Sequence, residues 1–141
     1  MKTALIFCFA ASLALMAAAQ DSATKPSPSP GQKAGSQAKR IDVEEFDKLR
    51  GSNTNTVLDV RTEKEFKAGH IPGAINIDIN SPDFAQKIER LDKRQTYLVH
   101  CAAGSRSARA CEKMEGMGFT NLYELAPGFK GWEKAGKRVE K

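Results

Sequence analysis

One loop of this chain carries the residues that are best suited to chemistry. Cys101 directly follows the apolar run 96–100, whose β-branched and aromatic side chains predict a strand. Small residues follow the cysteine, and a helical pattern begins at Ser107. The candidate site therefore comprises a cysteine nucleophile and six residues that would bind its substrate: Ala102, Ala103, Gly104, Ser105, Arg106 and Ser107.

This arrangement favours an ionised sulfur. The first N–H groups of a helix lack intrahelical partners and carry about half a positive charge. The small residues after Cys101 allow successive N–H groups to turn toward one centre, and Arg106 adds a fixed positive charge. Thiols in such settings ionise near neutral pH and act as nucleophiles. The alternative, that Cys101 is only a small core residue, explains neither the glycine nor the arginine.

The elements around the loop alternate along the chain. Strands are predicted at 56–60, 74–77, 96–100 and 121–125, each followed by a helical segment. Capping boxes begin helices at Asp42 and Thr62, and Ser81-Pro82 is typical of an N-cap followed by the first helical residue. This order predicts the α/β class, with a parallel sheet covered by helices on both faces. Ligands bind beyond the carboxyl ends of such strands, where Cys101 lies.

The first 40 residues differ from the rest of the 141. Residues 1–19 combine Lys2, an apolar run and a small-x-small ending, which predicts a signal peptide and a periplasmic or secreted protein. An uncleaved membrane anchor is the alternative, although the run is short for a span. Residues 20–40 contain no large apolar side chain and are predicted to be a disordered spacer. The folded domain is predicted at 41–141, with no stable membrane association after signal cleavage.

Composition excludes several functions. The 22 basic and 17 acidic residues give a net charge of +5, but the region 41–141 contributes only +1 of it. A domain with so little excess positive charge is not expected to bind nucleic acid. Two histidines, His70 and His100, provide too few ligands at usable spacing for a metal site.

Several segments in order resemble the rhodanese-like sulfurtransferases. The first segment is a strand that ends with an aspartate and an arginine. The cysteine loop follows, and the last segment is a helix with two aromatic residues. The matching segments are Val57 to Arg61, Glu65-Phe66, Gly69 to Ala74, Val99 to Cys101, Gly104 to Ser107, Gly118-Phe119 and Gly128 to Trp132. Each segment is weak evidence alone, but the ordered set is specific and spans most of 41–141.

The resemblance implies a rhodanese-like fold with a five-stranded parallel sheet flanked by helices. It also implies a ping-pong reaction in which Cys101 takes a sulfane sulfur from a small sulfur-anion donor such as thiosulfate. The resulting persulfide passes the sulfur to cyanide or a thiol acceptor. No metal or organic cofactor is implied, and we expect a monomer.

Two other functions remain open on the sequence. The domain would bind anions or carry a persulfide without turnover if the loop holds sulfur but does not release it. Phosphatases and arsenate reductases with related loops place five residues between cysteine and arginine, whereas this chain has four. Ala102 is a departure, since many relatives that use thiosulfate have a basic residue there, and polysulfides or protein persulfides are alternative donors.

Other polar residues of the pattern are interpreted as structural. We expect Asp59 and Arg61 to form an ion pair at the ligand-binding end of the sheet and His70 to form hydrogen bonds in its turn. Cys111 is expected to be a core residue, because it lies more than a helical turn beyond the loop.

Overall fold

The computed structural model describes residues 37–141, so the predicted signal peptide and residues 20–36 of the predicted spacer lie outside the described residues. Five strands and five helices alternate in the described part. The strands are β1 (Lys39–Ile41), β2 (Asn55–Asp59), β3 (Ile75–Asn76), β4 (Thr96–His100) and β5 (Leu122–Leu125). The helices are α1 (Val43–Arg50), α2 (Glu63–Ala68), α3 (Phe84–Glu89), α4 (Ser105–Gly116) and α5 (Gly128–Lys134).

The strands described between residues 37 and 141 form one parallel sheet in the order β1-β5-β4-β2-β3. This confirms the predicted α/β class and the five-stranded parallel sheet that the resemblance implied. Strand β4 is central and pairs with β2 and β5. The loop that follows β4 therefore leaves the middle of the carboxyl edge of the sheet.

Helices cover both faces of the sheet, as predicted. Alternate residues of a strand point to opposite faces, so Leu98 and Val99 of β4 belong to different apolar clusters. One cluster includes Met114 of α4 and Ile88 of α3, and the other includes Phe46 of α1 together with residues of α5. No helix described between residues 37 and 141 has the length and apolarity needed to cross a bilayer.

The structure corrects the boundary between the spacer and the domain. Lys39 and Arg40 were placed in the spacer, but both belong to β1, whose three residues pair with β5. This edge strand is short and mostly polar, and only Ile41 of its residues is fully buried. The strand depends on partners distant in sequence rather than on an apolar run, so the local pattern did not reveal it.

The start of α2 was predicted correctly, whereas the starts of α3 and α4 were not. Both halves of the capping box form between Thr62 and Glu65 at the start of α2. The prediction that Pro82 opens a helix was wrong, because the amide of Phe84 donates to the carbonyl of Ser81 in a turn and α3 begins only at Phe84. Helix α4 starts at Ser105, two residues earlier than predicted, so the loop after Cys101 is shorter than expected.

Candidate active site

Cys101 lies between the central strand β4 and the N-terminus of α4. The residue is 1% exposed and contacts the apolar cluster beneath α4. Its sulfur nevertheless has polar neighbours: the amide of Gly104 donates to Sγ at 3.1 Å, and Ser107 Oγ lies 3.5 Å from Sγ. The sulfur is therefore buried inside a small polar pocket formed by the main chain and one hydroxyl group.

These polar contacts decide the ionisation of Cys101. Burial raises the pKa of the thiol, but hydrogen bonds from the Ser107 side chain and from the amides of Ser107, Ala103 and Gly104 outweigh it. The net result is a pKa below the ordinary value. Amides directed at a sulfur stabilise its charged form because they supply the positive ends of fixed dipoles. The predicted inward turn of the loop is thus present in the structure.

Gly104 allows this turn. Its φ of +99° lies in the left-handed region, and a Cβ atom there would lie 2.5 Å from the carbonyl oxygen of Ala126. A larger residue would have to shift the backbone that follows β5. Gly104 therefore allows its own amide to reach Sγ while the loop packs against a neighbouring loop.

Helix α5 holds the outer side of the same loop. The amide of Phe129 donates to the carbonyl of Cys101 at 2.7 Å, and the amide of Lys130 donates to the carbonyl of Ala102 at 3.0 Å. Gly128 packs so closely that a Cβ atom would lie 2.6 Å from the backbone of Ala102 and Ala103. The loop carbonyls thus face α5 while the amides face the sulfur. The sequence alone did not predict this contact, because its one signal was a glycine, Gly128, at the start of a helix.

Arg106 was expected to add a positive charge near the sulfur, but in the structure its guanidinium is paired with Glu65. Its two terminal nitrogens donate to the two carboxylate oxygens of Glu65, both at 2.8 Å. The Arg106 hydrogen bond lowers the pKa of Glu65 to about 2, and the Glu65 hydrogen bond raises the pKa of Arg106. The pair ties α2 to the first turn of α4, so Arg106 acts first as a bridge between helices.

The remaining predicted site residues occupy the rim. Ala102 is half-buried, and Ala103 and Ser105 are exposed. Ala102 lines a cavity of about 270 Å³ together with Glu65, Phe129 and Lys130. This cavity gives a small molecule a place to approach the loop from outside.

A buried carboxyl group lies behind the site, and sequence reasoning missed it. Glu124 of β5 accepts a hydrogen bond from Ser107 Oγ at 2.9 Å. Its other oxygen lies 3.1 Å from Nε of Arg40, which occupies the matching position of β1. A glutamate within a short strand is an unusual buried residue, and that was the only available signal.

The polar residues at the end of β2 form the predicted ion pair, and Arg61 also lines the cavity beside Ala102. Arg61 donates hydrogen bonds to both carboxylate oxygens of Asp59 and to the carbonyl of Gly69, and its guanidinium lies 4.0 Å from the Phe129 ring centroid. His70 Nδ1 lies 3.0 Å from the carbonyl of Phe66. These contacts support the loop after β2, which adjoins the cysteine loop.

The neighbouring histidine is neutral. His100 is fully buried, and burial lowers its pKa to about 4 despite Asp59 Oδ2 at 3.5 Å from Nε2. Among residues 37–141, no group of three or more His, Cys, Asp or Glu side chains is placed to bind a metal ion. That no organic cofactor is needed stays a prediction.

Comparison with known proteins agrees with this geometry. Residues 42–135 match the family model described as a rhodanese-like domain. The thiosulfate sulfurtransferase GlpE of Pseudomonas putida is 36% identical over 97 residues, which cover 69% of this chain and 86% of that protein. The rhodanese-like domain-containing protein 14 of Arabidopsis thaliana is 29% identical over 147 residues, covering 74% of this chain and 66% of that protein, just under two thirds of its length.

A solved structure shows the same fold. The crystal structure of a rhodanese-related protein from Thermoplasma volcanium superposes with a TM-score of 0.65 at 31% identity, covering 72% of this chain and 97% of that one. The family match spans well over half of the chain and includes the whole cysteine loop. The chain therefore belongs to the rhodanese-like domain family.

Proposed function

We propose that this protein is a sulfurtransferase that moves a sulfane sulfur through a persulfide on Cys101. The observation that carries the proposal is the amide-lined pocket around Sγ, which holds the pKa of the thiol below its ordinary value. A thiolate at neutral pH is the nucleophile this reaction needs. The similarity to thiosulfate sulfurtransferases named GlpE supports the same chemistry.

The first half-reaction loads the sulfur. The Cys101 thiolate attacks the outer sulfur of thiosulfate, a new S–S bond forms, and the original S–S bond breaks. Sulfite leaves with the bonding electron pair. The transferred sulfur then carries the negative charge as a persulfide, so no proton donor or oxidant is required.

The second half-reaction unloads it. A cyanide ion or a thiolate acceptor attacks the outer sulfur of the persulfide, and the S–S bond to Cys101 breaks with its electron pair returning to Sγ. The products are thiocyanate or a new persulfide, and the enzyme thiolate is restored. Atoms and charge balance over the two half-reactions with only the donor, the acceptor and Cys101 taking part.

The loop stabilises negative charge in both steps. The amides of Ala103, Gly104 and Ser107 are already directed at the sulfur, so they need no reorganisation when charge moves outward along the S–S bond. The cavity beside Ala102 is the proposed approach for donor and acceptor. With alanine at this position, polysulfides and protein persulfides are proposed as donors alongside thiosulfate.

Intact mass spectrometry tests the proposal. The protein is incubated with thiosulfate or polysulfide, freed of excess donor and weighed. We expect a gain of one sulfur atom in the wild type and in Cys111→Ser, and none in Cys101→Ser. Absence of the gain in the wild type, or its retention in Cys101→Ser, overturns the proposal.

A turnover assay separates an enzyme from a carrier. We expect the loaded wild type to release its sulfur to cyanide and to turn over many times at low enzyme concentration. A protein that loads sulfur but does not turn over is the non-catalytic carrier that the sequence left open. Hydrolysis of aryl phosphates or reduction of arsenate, with no sulfur uptake, supports the phosphatase or arsenate reductase alternative.

A further inference from the structure

A buried carboxyl group is connected to the reactive sulfur through one hydroxyl group. Glu124 is 2% exposed, and its Oε1 accepts from Ser107 Oγ at 2.9 Å. Ser107 Oγ in turn lies 3.5 Å from Cys101 Sγ, and Ser107 is fully buried. The line from carboxyl to hydroxyl to sulfur is therefore continuous, and all three side chains are buried.

The hydroxyl group has fewer protons than acceptors. Ser107 Oγ also lies 3.0 Å from the carbonyl oxygen of Gly104, so three acceptors compete for its single hydrogen. A hydroxyl donates one hydrogen bond at a time and accepts up to two. When Glu124 is ionised, Ser107 donates to the carboxylate. When Glu124 is protonated, the carboxyl donates to Oγ. Ser107 can then donate to the ionised sulfur, whose charge makes it a stronger acceptor than the neutral Gly104 carbonyl.

The charged and titratable groups around Glu124 come from β1, α4 and the cysteine loop. Arg40 of β1 lies 3.1 Å from Oε2, and its side chain is 29% exposed. Cys101 faces Glu124 through Ser107, while Cys111 of α4 interacts with it electrostatically. Burial raises the pKa of Glu124 although Ser107 and Arg40 oppose this effect, whereas the pKa of Cys101 is lowered. These separate causes bring the two pKa values closer together than those of an isolated thiol and carboxyl group.

We propose that Glu124 is a positioning residue that takes up the proton of Cys101 through Ser107 when the sulfur ionises. The S–H bond of Cys101 breaks as its proton moves to Ser107 Oγ, and the original hydroxyl proton moves to Glu124 Oε1. The sulfur keeps the electron pair, and the negative charge passes from the carboxylate to the sulfur. No oxidant, reductant or water takes part.

This transfer suits groups that are as buried as these three side chains. The pocket holds one negative charge before and after the step, so ionising the thiol requires no proton release to the solvent. In the ionised state Ser107 donates to the sulfur, adding its hydrogen bond to that of Gly104. The inference rests on Cys101 as the nucleophile of the proposed function, but its test requires no sulfur transfer.

Infrared difference spectroscopy on the full chain tests where the proton is. Cys101 is alkylated with iodoacetamide at neutral pH, which converts the thiolate to a neutral thioether. Without the negative charge on sulfur, Glu124 should lose its proton. We expect the wild type to lose a protonated-carboxyl band on alkylation. Glu124→Gln should show no such loss, while the matched control Glu112→Gln, an exposed residue of α4, should behave like the wild type. No loss in the wild type, or an equal loss in Glu124→Gln, overturns the proposal.

The pH profile of alkylation provides the second readout. The shared proton predicts two ionisation steps separated by a plateau in the wild type. Glu124→Gln should follow one step, with about a tenfold fall in rate per pH unit on the acid side. Identical single steps in both proteins contradict the relay.

A second variant keeps the test decisive if Glu124→Gln does not fold. Ser107→Ala leaves both charged groups in place but removes the link, so it should abolish the band loss and the second ionisation step. If Ser107→Ala retains both features, the proposal is wrong. Failure of sulfur loading with these features intact instead contradicts the proposed function alone.

Discussion

At the scale of single residues, the two described cysteines show how reactivity is produced. Cys101 and Cys111 are each 1% exposed and belong to the same apolar cluster. Burial raises the pKa of the Cys111 thiol, and nearby carboxylates raise it further. The same burial is overcome at Cys101 by the amides and the hydroxyl around Sγ. Local polarity rather than exposure therefore separates a thiol with a lowered pKa from a thiol with a raised pKa.

Alkylation should distinguish these two thiols as a function of pH. Because the pKa of Cys101 is lowered, its thiolate persists as pH falls below the ordinary cysteine value of 9.0. Because the pKa of Cys111 is raised, its thiol stays protonated across the same range. We expect iodoacetamide to label Cys101 selectively at neutral pH, as measured by peptide mapping. Equal labelling of both residues contradicts the electrostatic argument.

At the scale of elements, helix α5 determines the shape of the cysteine loop. Its first amides hold the carbonyls of Cys101 and Ala102, and Gly128 permits the close approach. The loop is therefore shaped from two sides, by α4 at the sulfur and by α5 at the carbonyls. A small displacement of α5 would turn the amides away from Sγ.

Gly128→Ala tests this contact, with Gly136→Ala as its control. Both glycines have positive φ, +61° and +69°, but a Cβ atom at Gly136 meets nothing within 4 Å. Each change should cost about 1–2 kcal/mol in backbone strain, measured by denaturant unfolding, and Gly128→Ala should cost more because its Cβ also meets the loop backbone. Only Gly128→Ala should also reduce sulfur loading, by roughly 10- to 100-fold, because it displaces the loop. Equal loading by both variants contradicts the role of α5.

The elements near the site were mostly predictable because their signals are local. The strand before Cys101 is an apolar run, and the capping box of Thr62 lies within four residues. The start of α4 was placed two residues late because Gly104 itself occupies the N-cap position, with a left-handed backbone and no side-chain cap. Propensity patterns do not report such a start.

At the scale of the whole molecule, β1 joins the beginning of the folded domain to the back of the site. Arg40 is both part of the edge ladder with β5 and the ion-pair partner of Glu124. A domain that began at residue 41, as predicted, would lack Arg40 and therefore this ion pair. The sequence did not reveal the pair because its members are 84 positions apart and meet only through the register of two strands.

Deleting residues 1–40 should therefore destabilise the domain more than deleting residues 1–36. The shorter chain loses the ladder on β5 and leaves a buried carboxyl group without its cation. We expect a loss of at least about 2 kcal/mol relative to the longer chain, since each of these two defects falls in the range of about 1–3 kcal/mol. Thermal and denaturant unfolding measure the difference. Equal stability of the two chains shows that β1 contributes nothing.

The use of main-chain amides to hold the sulfur has an evolutionary consequence. The hydrogen bonds to Sγ come from backbone amides and the Ser107 hydroxyl group, whereas the side chains of Ala102, Ala103 and Ser105 lie on the half-buried or exposed rim. Mutations at these rim positions can alter which compounds enter without dismantling the nucleophile. Chains of this fold are thus free to vary at the rim by single substitutions, while the backbone pocket around the sulfur is inherited unchanged.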